Sequence, residues 1–137
     1  MMAGTPLPQY AWSAVCDDDA PFAPRDGGGA VSFGGRMWLL GGWNPGEDWK
    51  KDFPRVCNSE VWSSVDGRSW DLVLRQAPWE GRHCAGVTVH DGKMWIVGGD
   101  CNQGHYQHDI WSSPNGVDWT CVCVKASAHK IRPVSGV

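Results

Sequence analysis

A chain of 137 residues with 42% hydrophobic content is long enough for one ordinary domain, and its formal charge of −3 with dispersed basic residues gives no footprint for nucleic acid or an anionic membrane. The 10 Trp and 18 Gly suit many short strands joined by tight turns, and no amphipathic helix is found. The opening Met1-Met2-Ala3-Gly4-Thr5-Pro6-Leu7-Pro8 lacks the basic and apolar regions of a secretory signal, and no later run approaches membrane-spanning length. A cytoplasmic protein without a membrane partner is therefore expected, and its six cysteines, which do not recur from repeat to repeat, are expected as free thiols.

In chain order, Tyr10 to Val15 reads as a single strand, followed by an acidic, proline-bearing loop and Arg25. Strands are then expected at 29–33 and 36–41, joined by Gly34-Gly35 and closed by the pair Gly41-Gly42. Glycines suit the positive φ angles that a two-residue hairpin turn requires. A long loop leads to strands at 60–64 and 70–74 around Asp66-Gly67. The same order returns as 85–90, Asp91-Gly92, 93–98 with the pair Gly98-Gly99, then 109–113, Asn115-Gly116 and 119–124. The first hairpins are displaced by 57 positions (Gly35 to Gly92) and the second by 49 (Trp70 to Trp119), so the loop after the glycine pair is longer in the first copy. A Trp-to-Arg junction recurs from Trp12 to Arg25, Trp70 to Arg82 and Trp119 to Arg132, with Gly29, Gly86 and Gly136 four residues after each Arg. The chain divides into 1–24 with the outer strand of a preceding unit, module one at 25–81, module two at 82–131, and the start of a further module at 132–137. Each module has four strands, labelled a to d. The second strand is apolar on both faces (Met37-Trp38-Leu39-Leu40 and Met94-Trp95-Ile96-Val97), as a sheet sandwiched between sheets demands.

Gly41-Gly42 with Trp62 and Trp70, and Gly98-Gly99 with Trp111 and Trp119, resemble the kelch repeat, whose signature is a double glycine followed by a spaced aromatic pair. Trp62 and Trp111 stand where most kelch units have Tyr. The resemblance implies an all-β fold of antiparallel four-stranded blades from a kelch-type β-propeller, incomplete at about two blades, with each strand a nearest a central channel. The second hairpins also resemble the Asp-box turn of sialidases, although Ser64-Val65-Asp66-Gly67-Arg68-Ser69-Trp70 is one residue shorter and Asn115 replaces the Asp in the second copy. Two blades cannot close a ring, so a longer parent chain or head-to-tail self-association is expected to cover the open flanks.

In an up-and-down blade the b–c and d–a connections emerge on one face, and binding residues concentrate on such loops. That face is expected to offer Arg25, Arg82 and Arg132 at equivalent positions, Trp43, Trp49 and Trp79, and Asp100, Asn102, His105, Tyr106 and His108. The arginines could grip carboxylates bidentately, or bond neighbouring backbone carbonyls and the next blade. The loop tryptophans could stack on a sugar or a peptide, or cover the base of their own loops. Cys101, His105 and His108 beside Asp109 have donor types that could hold zinc, but the first module has no counterpart, and neither a metal nor another cofactor is expected. Cys84 beside His83 is the nearest Cys–His pair, yet adjacent strand residues point to opposite faces. No catalytic residue is assigned. The expectation is a non-catalytic binding or scaffold module for a protein or peptide ligand, an acidic one suiting the arginines. Two alternatives stand beside it. One is a carbohydrate-binding propeller, and the other is a fragment of a glycan-active enzyme of sialidase or galactose oxidase type, for which no acid/base carboxylate and no tyrosine in a matching motif can be assigned.

Overall fold

The computed structural model describes residues 10–16, 20–44, 56–101 and 105–123. Its regular structure is eight strands: β1 (Gly29–Phe33), β2 (Arg36–Asn44), β3 (Val56–Ser64), β4 (Asp71–Leu74), β5 (Gly86–His90), β6 (Lys93–Asp100), β7 (Tyr106–Ser113) and β8 (Thr120–Cys123). They form two four-stranded sheets in sequential order, β1-β2-β3-β4 and β5-β6-β7-β8, with every neighbouring pair antiparallel.

The first hairpin of each sheet turns as its residues require. Gly34 and Gly35 have φ of 58° and 72°, and Asp91 and Gly92 have 47° and 65°, so both central residues lie in the left-handed region that a type I′ connection needs. The glycine pairs differ from expectation. They do not end β2 and β6 but lie within them, as bulges at φ 60° and 114° for Gly41 and Gly42 and 58° and 117° for Gly98 and Gly99. Pairing shifts from Leu40↔Val61 to Gly42↔Asn58, and from Val97↔Ile110 to Gly99↔Gln107, and then resumes. The left-handed backbone absorbs the extra residue and lets the ladder continue towards the long connections.

The second hairpins turn around Asp66-Gly67 and Asn115-Gly116 as expected, over connections one residue longer than expected. Residues 65–70 and 114–119 each separate two strands, and each is braced from inside. The Asp66 carboxylate accepts the backbone N–H of Arg68 at 2.8 Å and of Ser69 at 2.9 Å. The Asn115 carbonyl oxygen accepts those of Val117 and Asp118, both at 2.9 Å. The Trp70 and Trp119 indoles donate back to Gly67 O and Gly116 O at 3.1 and 3.0 Å. Asn therefore serves as well as Asp here, since only an acceptor oxygen is needed.

The expected strand at Tyr10–Val15 is not formed: these residues have no strand pairing, and Tyr10 and Trp12 are 81% and 96% exposed. A blade's outer strand needs a third strand to pair with, and none of the described strands pairs with this segment.

The core lies between the sheets. Trp38, Leu40 and Val61 of the first pack with Met94, Ile96 and Trp119 of the second, and Ala77 and Trp79 close one end. Repeat-equivalent residues consequently meet opposite fates. Met94 is fully buried while Met37, 57 positions earlier, is 39% exposed; Leu40 is buried while Val97 is 41% exposed. One face of the first sheet thus covers the opposite face of the second, as stacked blades do, leaving an outer flank on each. On the first flank Phe22, Val31, Met37, Leu39 and Trp70 line an apolar groove of about 540 Å³.

Candidate functional site

The connections β4–β5 and β6–β7 and the start of β3 converge at one end of the stack. Isolated bridges pair Asp26 with Trp43 and His83 with Asp100, fastening each incoming segment to the far end of the second strand of its own sheet. Each incoming segment also carries an aromatic residue three positions before an arginine. Phe22 stands edge-on to Trp70 at 5.3 Å, and Trp79 edge-on to Trp119 at 5.9 Å. Arg25 and Arg82 lie over these rings at 5.3 and 5.7 Å. Phe22 went unassigned in the sequence because it is not a Trp and lies in a loop; its spacing to Arg25, the same as that of Trp79 to Arg82, was the available signal.

Arg25 and Arg82 are both committed to the fold. Arg82 has no exposed side-chain surface; it binds the Asp109 carboxylate bidentately at 2.7 and 3.0 Å and donates to Gly98 O at 2.8 Å and Glu80 O at 3.0 Å. Arg25 repeats the pattern with Glu60 at 2.9 Å, Gly41 O at 3.0 Å and Ala23 O at 3.1 Å, and adds Asn58 at 3.3 Å. The indoles of Trp62 and Trp111 donate to the same two carboxylates at 2.8 and 2.6 Å. Burial pushes both carboxyls up, but the bonds from Trp62 and Arg25 to Glu60, and from Arg82 and Trp111 to Asp109, together with the arginine charges, outweigh it. Both pKa values lie below the ordinary ones. Of the two roles open to these arginines, the structure displays the internal bracket between segment, bulge carbonyl and third strand.

Trp79 is likewise placed in the core, 2% exposed, so it does not face a ligand as a loop residue would. Trp43 is half-buried at the end of β2, and Asp100 is half-buried at the end of β6. Tyr106 is 67% exposed, and His105 and His108 are also exposed; His108 Nδ1 donates to Tyr106 O at 3.0 Å and does not join His105. Trp49, Asn102 and Arg132 lie outside the described residues.

The structure replaces the Cys84–His83 neighbourhood with a different one. Cys57 Sγ is 3.3 Å from His83 Nδ1, but that nitrogen is 2.6 Å from Asp100 O and must donate its hydrogen to it. It cannot therefore take the thiol proton. Burial, reinforced by nearby acidic groups, raises the Cys57 pKa to about 11, so this is a quiet thiol and not an activated nucleophile. Beside it, Glu80 accepts from Cys101 Sγ at 3.5 Å and contacts His105 Nε2 at 3.2 Å, while Gln107 Nε2 donates to Glu80 at 3.4 Å and to Gly81 O at 3.2 Å. Glu80 was absent from the donor set read in the sequence because it comes from a different connection, 21 residues before Cys101.

Residues 81–112 match the family model described as Kelch motif. Among solved structures, that of YjhT aligns with a TM-score of 0.63 at 17% identity, covering 83% of this chain and 40% of that one. At this identity the likeness speaks for the fold alone, and the chain spans well under half the length of that structure. No curated protein matches. Two sequentially ordered antiparallel sheets, stacked face to face with a bulged glycine pair in the second strand of each, define the class as β-propeller blades. Residues 81–112 thus carry a Kelch motif, and the fold is that of two blades of a kelch-type β-propeller. No helix among the described residues is long and apolar enough to cross a membrane.

Proposed function

We propose that the two blades act as a protein-binding module through the end formed by the b–c and d–a connections, taking a peptide or protein segment. One observation carries this reading. The opposite end is closed by type I′ turns and by internally satisfied Asp66 and Asn115 turns, whereas this end gathers the exposed Glu80 and His105 from two different connections and Tyr106 and His108 from the start of β7. A tyrosine 67% exposed, flanked in the chain by the exposed His105 and His108, has the composition of an interface anchor. With Arg25 and Arg82 engaged internally, recognition rests on this aromatic and polar cluster and not on an arc of guanidiniums.

Selection from a displayed peptide library against the purified chain, followed by titration of the best peptide, tests the proposal. Tyr106→Ala should weaken binding by about tenfold or more, the cost of roughly 1.4 kcal/mol at an anchor, and Lys93→Ala at the opposite end should leave it unchanged. Peptides that respond to Lys93→Ala and not to Tyr106→Ala would refute it.

A further inference from the structure

We infer that Glu80, Cys101 and His105 form a binding site for a divalent cation of borderline softness, zinc being the ion their donors suit best. The ligand atoms of these three residues all lie within 4.8 Å of one another. A tetrahedral zinc site with bonds of about 2.0 Å to oxygen and nitrogen and about 2.3 Å to sulfur has donor edges of roughly 3.3–3.5 Å. The observed contacts of Glu80, Oε1 to Cys101 Sγ at 3.5 Å and Oε2 to His105 Nε2 at 3.2 Å, are of that size, one through each carboxylate oxygen. A thiolate, an imidazole and a carboxylate together select zinc over magnesium or calcium, which prefer oxygen throughout.

The scaffold holds these donors before any ion arrives. Glu80 O accepts from buried Arg82 at 3.0 Å, fixing the backbone beneath the carboxylate, and Gln107 holds the carboxylate itself. Cys101 N donates to His105 O at 3.3 Å, closing the base of the second connection so that both its donors point to Glu80. Such outer partners orient metal ligands. The repeat gives no structural reason for the trio, since the equivalent positions in the first blade hold Ala23 and Asn44. On binding, the Cys101 thiol would release its proton to solvent and the sulfur would bond the cation. Three protein donors leave one tetrahedral position, and the Glu80 and His105 side chains, 55% and 61% exposed, leave it open to water. The cation would clip the d–a connection to the b–c connection of the second blade, independently of whether a peptide binds there.

The full chain, freed of metal with a chelator, would be titrated with cobalt(II) as a spectroscopic probe and then with zinc in competition. One equivalent of cobalt should produce a thiolate-to-cobalt charge-transfer band and the visible bands of tetrahedral coordination, and one equivalent of zinc should remove both. Cys101→Ser should abolish the charge-transfer band. Glu80→Gln and His105→Gln alter exposed side chains, so they keep the test decisive if the cysteine variant folds poorly. Each should weaken zinc binding by more than the about 10–100-fold that loss of an outer partner costs, while His108→Gln binds normally. Absence of the band in the intact chain, its persistence in Cys101→Ser, or unchanged affinity in both Glu80→Gln and His105→Gln would overturn the assignment.

Discussion

Removing the Arg82 side chain should cost far more stability than any surface charge. The guanidinium has no exposed area and makes two bonds to Asp109, whose side chain is only 21% exposed. Deleting one partner of a buried pair leaves the other charge uncompensated, at about 3–5 kcal/mol. Asp109 keeps some solvent access, which moves the expectation to the lower end of that range; the orphaned Gly98 carbonyl moves it back up. We expect Arg82→Ala to lose about 3 kcal/mol or more, a large part of the 5–15 kcal/mol typical of a domain. The matched control is Arg36→Ala, because the Arg36–Asp71 pair at 2.7 Å has side chains 33% and 76% exposed and should contribute about 1 kcal/mol or less. Denaturant unfolding followed by tryptophan fluorescence reads both. A loss under about 1 kcal/mol for Arg82→Ala, equal to the control, would refute the bracket as a stabilising device.

Other consequences follow from single contacts. Gly116 has φ 78°, and a Cβ there would run into the Trp38 ring of the other blade, whereas Gly92 at φ 65° faces open space. Gly116→Ala should therefore destabilise by about 2–4 kcal/mol and Gly92→Ala by about 1 kcal/mol, measured by the same unfolding; equal losses would place the second blade's turn away from Trp38. Glu60 and Asp109 both have folded pKa values depressed below the ordinary 4.5 and 3.8. Their contribution is complete above those values and is lost as pH falls through the folded ones, so the melting temperature should drop below about pH 4.5, less steeply in Asp109→Asn; a melting temperature flat to pH 3 would contradict this. Cys57, with its pKa near 11, should alkylate far more slowly at neutral pH than exposed Cys84, as peptide mapping after brief iodoacetamide treatment would show; comparable rates would contradict the assignment of a quiet thiol.

The fold was readable because the chain repeats itself: two hairpins, two glycine pairs and two tryptophan turns at fixed displacements specify two copies of one sheet. Boundaries were less legible. A glycine pair signals a backbone interruption, but only pairing beyond it distinguishes a bulge within β2 from the end of a strand. Tyr10 to Val15 has the composition of a strand, yet composition does not supply the neighbour it must pair with. At the candidate site, Trp79 looked free because its partner Trp119 lies 40 positions away on the next blade. For the same reason Glu80 could not be joined to Cys101 and His105: their contact depends on how two connections pack, and no local spacing encodes it.

The stacking of the two sheets as neighbouring blades underlies both the bracket and the loop end, and methionine oxidation reads it directly. Met37 and Met94 occupy the same repeat position, the first 39% exposed on an outer flank and the second fully buried between the sheets. Limited peroxide treatment with site-resolved mass spectrometry should oxidise Met37 readily and leave Met94 intact under native conditions, with the difference vanishing in denaturant. Equal native rates at the two sites would contradict the stacked-blade account.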